Sequence, residues 1–274
     1  MVVALDFSTM PRQRVADIEI YYEIHGDGPH TLAMIRGLGS NLTAWYEQVP
    51  EFSRHFRVLV FDNRGAGRTD KPDAPYSIEQ MASDTAGLLA ALKLERVALL
   101  GISMGGMIAQ EFALAHQDRL SCLVLGCTTC GGKEAVGAAA PVIEALVAAE
   151  NANPEQRKLQ IRSGFTENAI VNRREVIERH EKVRAQYLIP PFAYRRQLHA
   201  VMGFDASARL GSIRVPTLVL TGTDDILVPP ANSRLIAQKI PGAIVKELPG
   251  AHQFFTEYPR EFNQAVTDFV KAHA

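Results

Sequence analysis

Apolar positions along the chain change period, and the changes mark out its elements. Arg12 to His25 alternates apolar and polar side chains through Val15, Ile18, Ile20 and Tyr22, then meets the turn residues Gly26-Asp27-Gly28-Pro29, which predicts an antiparallel edge hairpin. Thr31 to Ile35, Arg57 to Phe61, Val97 to Ile102, Leu120 to Cys127 and Pro216 to Leu220 are short, nearly continuous apolar runs, as expected of strands covered on both faces. Ala243 to Leu248 is read as a last strand. Helical spacing falls between them: Leu42 to Phe52, a stretch opened by the capping pattern Ser77-Ile78-Glu79-Gln80 and reaching Leu92, Met104 to His116, Asn232 to Ile240, and Pro259 to Lys271. Strand and helix alternate in an order that predicts right-handed crossovers and a mostly parallel sheet, with ligand sites at the carboxyl ends of its strands.

The alternation stops between residues 128 and 210. Ala138 to Ala149, Glu155 to Phe165, Arg173 to Ala185 and Phe192 to Phe204 carry helical spacing, broken at Asn153-Pro154 and Pro190-Pro191. The chain therefore divides into a core, 1–127 with 211–274, and a helical cap, 128–210, inserted between two strands; long insertions of this kind commonly cover a site. A second packing layer with no gating role is the plainer alternative.

One stretch carries chemistry of its own. Gly101-Ile102-Ser103-Met104-Gly105 follows a strand and runs straight into a helix, the context in which G-x-S-x-G lifts a serine out of the sheet on a strained turn. Ser103 is the candidate nucleophile, and the Met104 amide at the helix N-terminus is a candidate donor to an oxyanion. A serine hydroxyl needs a base, and the base an orienting carboxylate. Among eight histidines, only His252 sits in a glycine-containing loop just beyond a buried strand, and Asp224 and Asp225 lie in the turn after the preceding strand. Taken singly, His252 could cap the last helix and either aspartate could form an Asx turn; the order serine, aspartate, histidine is what joins them.

Composition narrows the partners. The 274 residues are 47% hydrophobic and 22% charged, with 29 Lys and Arg against 30 Asp and Glu, so no charge excess favours nucleic acid or a membrane surface. Met1 to Arg14 has no leader pattern and no apolar run spans a bilayer, which predicts a cytoplasmic protein. Cys127-Thr128-Thr129-Cys130 has no second ligand pair nearby, so it reads as buried thiols; no metal or organic cofactor is expected.

The chain resembles the alpha/beta-hydrolase superfamily from about residue 15 to 272, on Gly101 to Gly105, on Asp62-Asn63-Arg64-Gly65-Ala66-Gly67-Arg68-Thr69-Asp70, and on Asp225 to Pro229. The likeness implies that fold, with an eight-stranded, mostly parallel sheet flanked by helices. It selects Asp225, four residues before Pro229, as the acid, and implies a Ser103-His252-Asp225 triad with Leu38 and Met104 amides as the oxyanion hole. Arg36-Gly37 replaces the usual His-Gly dipeptide of that loop. Within the superfamily the chain is most similar to the enol-lactonase, carboxylesterase and cofactor-free haloperoxidase group.

The expected activity is hydrolysis of a small to medium ester or lactone by a monomer or homodimer. A carbon-carbon hydrolase or acyltransferase with the same triad, and a slow-turnover ligand sensor, remain as alternatives. Gly37, Gly39, Trp45, Tyr187 and Phe192 are the candidate substrate contacts. The apolar residues of the cap, among them Val142, Ile143, Leu146, Phe165 and Tyr194, predict a mostly apolar cleft that disfavours charged acids unless Arg36 or a cap arginine turns inward.

Overall fold

The computed structural model describes residues 11–274; the expectation drawn from Met1 to Arg14 falls, up to residue 10, outside the described residues. Its strands are β1 (Arg12–Val15), β2 (Ile18–His25), β3 (Thr31–Ile35), β4 (Arg57–Phe61), β5 (Val97–Ile102), β6 (Leu120–Gly126), β7 (Thr217–Gly222) and β8 (Ile244–Leu248). They form one sheet in the order β1-β2-β4-β3-β5-β6-β7-β8. β2 runs antiparallel to β1 and β4, and every other neighbouring pair is parallel. The helices are α1 (Val49–Phe52), α2 (Ile78–Ala91), α3 (Met104–His116), α4 (Ala140–Ala148), α5 (Pro154–Gly164), α6 (Glu167–Asn172), α7 (Arg174–Arg184), α8 (Pro191–Met202), α9 (Ala231–Lys239), α10 (Phe254–Glu257) and α11 (Pro259–His273).

The period of two along the central strands divides the core. Ala33, Ile35, Val97 and Leu99 face Leu88, Leu89, Ile108 and Phe112 of α2 and α3. Leu32, Met34, Ala98, Leu100 and Ile102 face Phe52, Phe56 and the α11 residues Phe262, Val266 and Val270. Both faces are covered by helices, which is why these strands read as continuous apolar runs.

Several expectations are corrected. The single helix over Leu42 to Phe52 splits into a 3-10 turn at Leu42–Trp45, capped by the Asn41 side chain, and the short α1 with Pro50 in its first turn. The strand before His252 is not buried: β8 is the sheet's outer strand, and Ile244 to Glu247 are exposed, since no strand pairs beyond it. Between β6 and β7 the helices are α4 to α8. The unanticipated α6 begins where Thr166 accepts a hydrogen bond from Ala169 N. The two ends of this segment meet in a Gly131–Asp205 bridge and an Ala206 N to Cys130 O bond of 2.9 Å. Among the described residues, no helix is long and apolar enough to cross a membrane.

The loop after β4 is held by buried charge. Arg64 donates to both Asp84 oxygens at 2.8 Å and to the Asp17 carboxylate at 2.7 and 2.8 Å, tying α2 and the β1–β2 turn to this loop. Asp84→Ala leaves a buried guanidinium half-paired, so it is expected to cost about 3–5 kcal/mol, read as a lowered urea midpoint at unchanged m-value. A shift below 1 kcal/mol, within the ~0–1 kcal/mol of an exposed pair, would refute that reading.

Candidate active site

Ser103 sits between β5 and α3 at φ 57°, ψ −121°, a backbone conformation that a β-carbon makes costly. The turn closes only because its neighbours are glycines. A Cβ on Gly101 would lie 2.2 Å from Gly105 O, and one on Gly105 would lie 2.2 Å from Ile35 O. Ser103 N donates to Gly126 O at 2.9 Å, and Thr128 Oγ1 donates to Ser103 O at 2.8 Å, which pins the turn to the end of β6 and the residues after it. The serine hydroxyl makes no capping bond to α3 and remains free for other chemistry.

Asp225 follows β7. Its Oδ1 accepts from Leu227 N at 2.9 Å and Val228 N at 2.8 Å, and its Oδ2 lies 2.7 Å from His252 Nδ1. Both side chains are buried. Asp224 points elsewhere, accepting from Thr223 Oγ1 at 2.8 Å. The imidazole thus has one nitrogen committed to a carboxylate. His252 and Ser103 line the same cavity of about 570 Å³ with no hydrogen bond between them; in free enzymes such contacts are commonly long and tighten when substrate binds.

Leu38 and Met104 also line this cavity, and among the described residues neither amide donates a hydrogen bond. The loop that carries Leu38 is braced from below. Buried Asp62 accepts from Leu42 N and Arg68 N, both at 2.7 Å, and Asn63 Nδ2 donates to Arg36 O at 2.9 Å. A Cβ on Gly37 would lie 3.0 Å from Ser103 Cβ and 3.3 Å from Ile102 O, so a larger residue there would have to displace the serine or its turn.

The remaining candidate contacts divide. Gly37 and Gly39 line the cavity, but the Gly39 amide is already spent on Gln197 Oε1 at 2.9 Å. Trp45 is wholly buried, with the Arg36 guanidinium 4.7 Å from its ring, and does not line the cavity. Phe192 lines neither this cavity nor a second one of about 500 Å³ alongside it, because the helical turn of α8 directs Tyr194 and Leu198 there instead. Tyr187 lines only the second cavity, its ring 4.5 Å from the Arg68 guanidinium. Ile143, Leu146 and Tyr194 contribute apolar wall above Ser103, as the helical spacing predicts, but Val142 and Phe165 do not.

Three features were not legible in the pattern. Gln197, wholly buried in α8, also donates to Arg64 O at 2.8 Å and so joins the helical segment to two loops of the core. Gln197→Leu leaves Gly39 N and Arg64 O unpaired and is expected to cost about 1–3 kcal/mol for each group left buried, measured by thermal melting; an unchanged melting temperature would contradict it. Buried Glu257 takes Ala251 N at 2.9 Å and Thr166 Oγ1 at 2.6 Å, linking the His252 loop to α6. Cys127 is a free, buried thiol at φ 38°, with its sulfur, Asp225 and His252 offering ligand atoms within 4.8 Å of one another. Burial, and then the Asp225 charge, push the Cys127 thiol well above its ordinary range, and both Asp225 oxygens are already hydrogen-bonded, so the trio as arranged is a neutral thiol beside an occupied carboxylate.

A family profile described as alpha/beta hydrolase fold matches residues 31–173. The chain belongs to the alpha/beta hydrolase fold family. It is 30% identical over 266 residues to an Azorhizobium caulinodans protein provisionally named carbamate hydrolase RutD, covering 95% of this chain and 98% of that one. It is 28% identical to 3-oxoadipate enol-lactonase 2 of Acinetobacter baylyi, covering 93% and 94%. The solved structure of the enol-lactonase from Burkholderia xenovorans superposes with a TM-score of 0.85 at 30% identity, over 95% of this chain and 100% of that one.

Proposed function

We propose that the protein is a serine hydrolase that cleaves a carboxylic ester or lactone through an acyl-enzyme. The observation that carries this reading is the buried Asp225–His252 pair at 2.7 Å in the wall of the cavity that also exposes Ser103 on its strained turn. His252 Nε2 accepts the Ser103 proton as Oγ attacks the carbonyl carbon, and Asp225 holds the Nδ1 proton and offsets the imidazolium charge. The carbonyl oxygen, now negative, accepts hydrogen bonds from the Leu38 and Met104 amides. Collapse of the adduct breaks the acyl-oxygen bond, with His252 protonating the departing alkoxide. Water, deprotonated by the same nitrogen, then attacks the acyl-enzyme and releases the acid and Ser103. The α4–α8 segment acts as a lid that keeps bulk water from this sequence.

The names of the enol-lactonase relatives favour the ester and lactone reading, and that of the carbamate hydrolase adds carbamates to the substrates worth testing. A fluorophosphonate probe is expected to label one residue, Ser103, located by peptide mapping; the labelled enzyme should lose activity on a panel of esters, lactones, thioesters and carbamates. Labelling at another serine, or an active Ser103→Ala variant, would end the proposal.

A further inference from the structure

Arg36 is 3% exposed, and its guanidinium lies against the faces of two neighbouring rings, Trp45 and Phe255, 4.7 and 4.9 Å from their centroids. Its Nε donates to Ser40 Oγ at 3.1 Å, while its buried Nη1 has no hydrogen-bond partner among the described residues. Other buried or half-buried guanidiniums have partners: Arg64 is paired with Asp17 and Asp84, Arg68 with Glu23, Arg173 with Glu257 and Arg196 with Asp73, while Arg119 donates to the Ala86 and Leu94 carbonyls. No carboxylate comes within ion-pair distance of Arg36 among the described residues. Aromatic faces recover part of what a cation loses on leaving water, but a buried cation is ordinarily balanced by an anion.

The surroundings indicate where that anion would come from. Arg36 and His180 of α7 line the cavity that holds Ser103, as does Arg184, and among the described residues no aspartate or glutamate does. His180 is 7% exposed and its Nδ1 likewise lacks a partner among the described residues. Burial first, and then the charge of Arg36, hold His180 down at about 3, so it is a neutral imidazole whose Nδ1–H tautomer donates without adding charge. Arg36 falls to about 10 through burial and stays cationic at neutral pH. The cavity therefore combines an apolar wall with a net positive one, the exception that the sequence-based expectation made for Arg36 or a cap arginine turned inward.

We infer that Arg36, with His180 beside it, is a binding site for a free carboxylate on the substrate, so that the preferred substrates are acidic: half-esters of dicarboxylic acids or lactones bearing a carboxylate. The inference rests on the Ser103 hydrolase reading, since the carboxylate is held while the ester or lactone carbonyl lies at Ser103. Arg36 and His180 are specificity residues and take no part in bond making.

Mono-p-nitrophenyl esters of succinate, glutarate and adipate are compared with the neutral p-nitrophenyl esters of equal length, in the wild type, Arg36→Met and His180→Phe. The wild type is expected to favour at least one acidic ester by tenfold or more in kcat/KM. Arg36→Met is expected to cut that acid-to-neutral ratio by about 30-fold or more, chiefly through KM, and His180→Phe by a smaller factor. Where Arg36→Met fails to fold, the His180→Phe ratio stands in its place. In parallel, succinate, glutarate and adipate are titrated calorimetrically into Ser103→Ala, with and without Arg36→Met; saturable binding that vanishes with Arg36 is expected. A wild-type preference for neutral esters, a ratio unmoved in the variants, or no dicarboxylate binding to Ser103→Ala overturns the inference. If the wild type hydrolyses none of the esters, the ester-hydrolase reading falls, and the titration by itself upholds or rejects the carboxylate site.

Discussion

Ser103→Ala is expected to lower kcat/KM on the best ester or lactone by about 10⁴-fold or more, leaving only what substrate binding and the oxyanion amides supply. The size follows from the site's construction. Met104 N and Leu38 N belong to the backbone and stay in place when the hydroxyl is removed, and the Asp225–His252 pair has its own hydrogen bonds. The turn geometry is fixed by Gly101, Gly105 and Gly126 rather than by the serine side chain, so the variant should fold like the wild type. Circular dichroism and the melting temperature check that, and steady-state kinetics check the loss. A decrease of less than about 100-fold, which a positioned proton donor or acceptor alone provides, would mean that another group makes the acyl bond.

The second large effect is expected at Asp225. Asp225→Asn keeps the volume and can still accept from Leu227 N and Val228 N, which now bond to Oδ1. The atom facing His252 Nδ1 becomes an amide donor, which favours the tautomer with Nε2 protonated and unable to take the Ser103 proton. A fall in kcat of about 10⁴-fold is expected, with KM little changed. Asp224→Asn provides the control, because Asp224 bonds to Thr223 and not to the imidazole. Equal losses in the two variants would show that the effect comes through the turn as a whole.

Much of this site could be read in the sequence because its strongest signals are local. The elbow glycines are imposed by approaches of 2.2 Å within a few residues and across to β3, and the turn after β7 carries its own Asx pattern. The strand-helix alternation likewise follows from burial on both faces. What the pattern did not carry depends on contacts between distant segments. His252 stands out as a loop histidine although its strand is exposed, because a sheet's outer strand cannot be told from an inner one by five residues. Trp45 looked like pocket lining because it is a large aromatic near the oxyanion loop; its burial under Arg36 is a tertiary fact. Gln197 has nothing in its local sequence to distinguish it from the polar face of α8, yet its partners, Gly39 and Arg64, lie more than 130 positions away. Phe192 and Tyr194 differ by two residues on one helix, and the phase of α8 against the core decided between them.

The ties between α4–α8 and the core bear on how such enzymes can be recombined. Gln197 reaches the loop after β3, Gly164 O accepts from Gln253 N at 2.8 Å, and Glu257, which belongs to the core, binds Thr166 and the Ala251 amide together. A chimera that exchanges residues between β6 and β7 for those of a relative would carry the donor from 166 but leave its acceptor at 257 behind. The exchangeable module is consequently discontinuous: it comprises the helical segment together with position 257, whereas 39 and 253 contribute only main-chain amides. Grafts cut only at the ends of the segment would be expected to import a new pocket wall onto a histidine loop that no longer fits it.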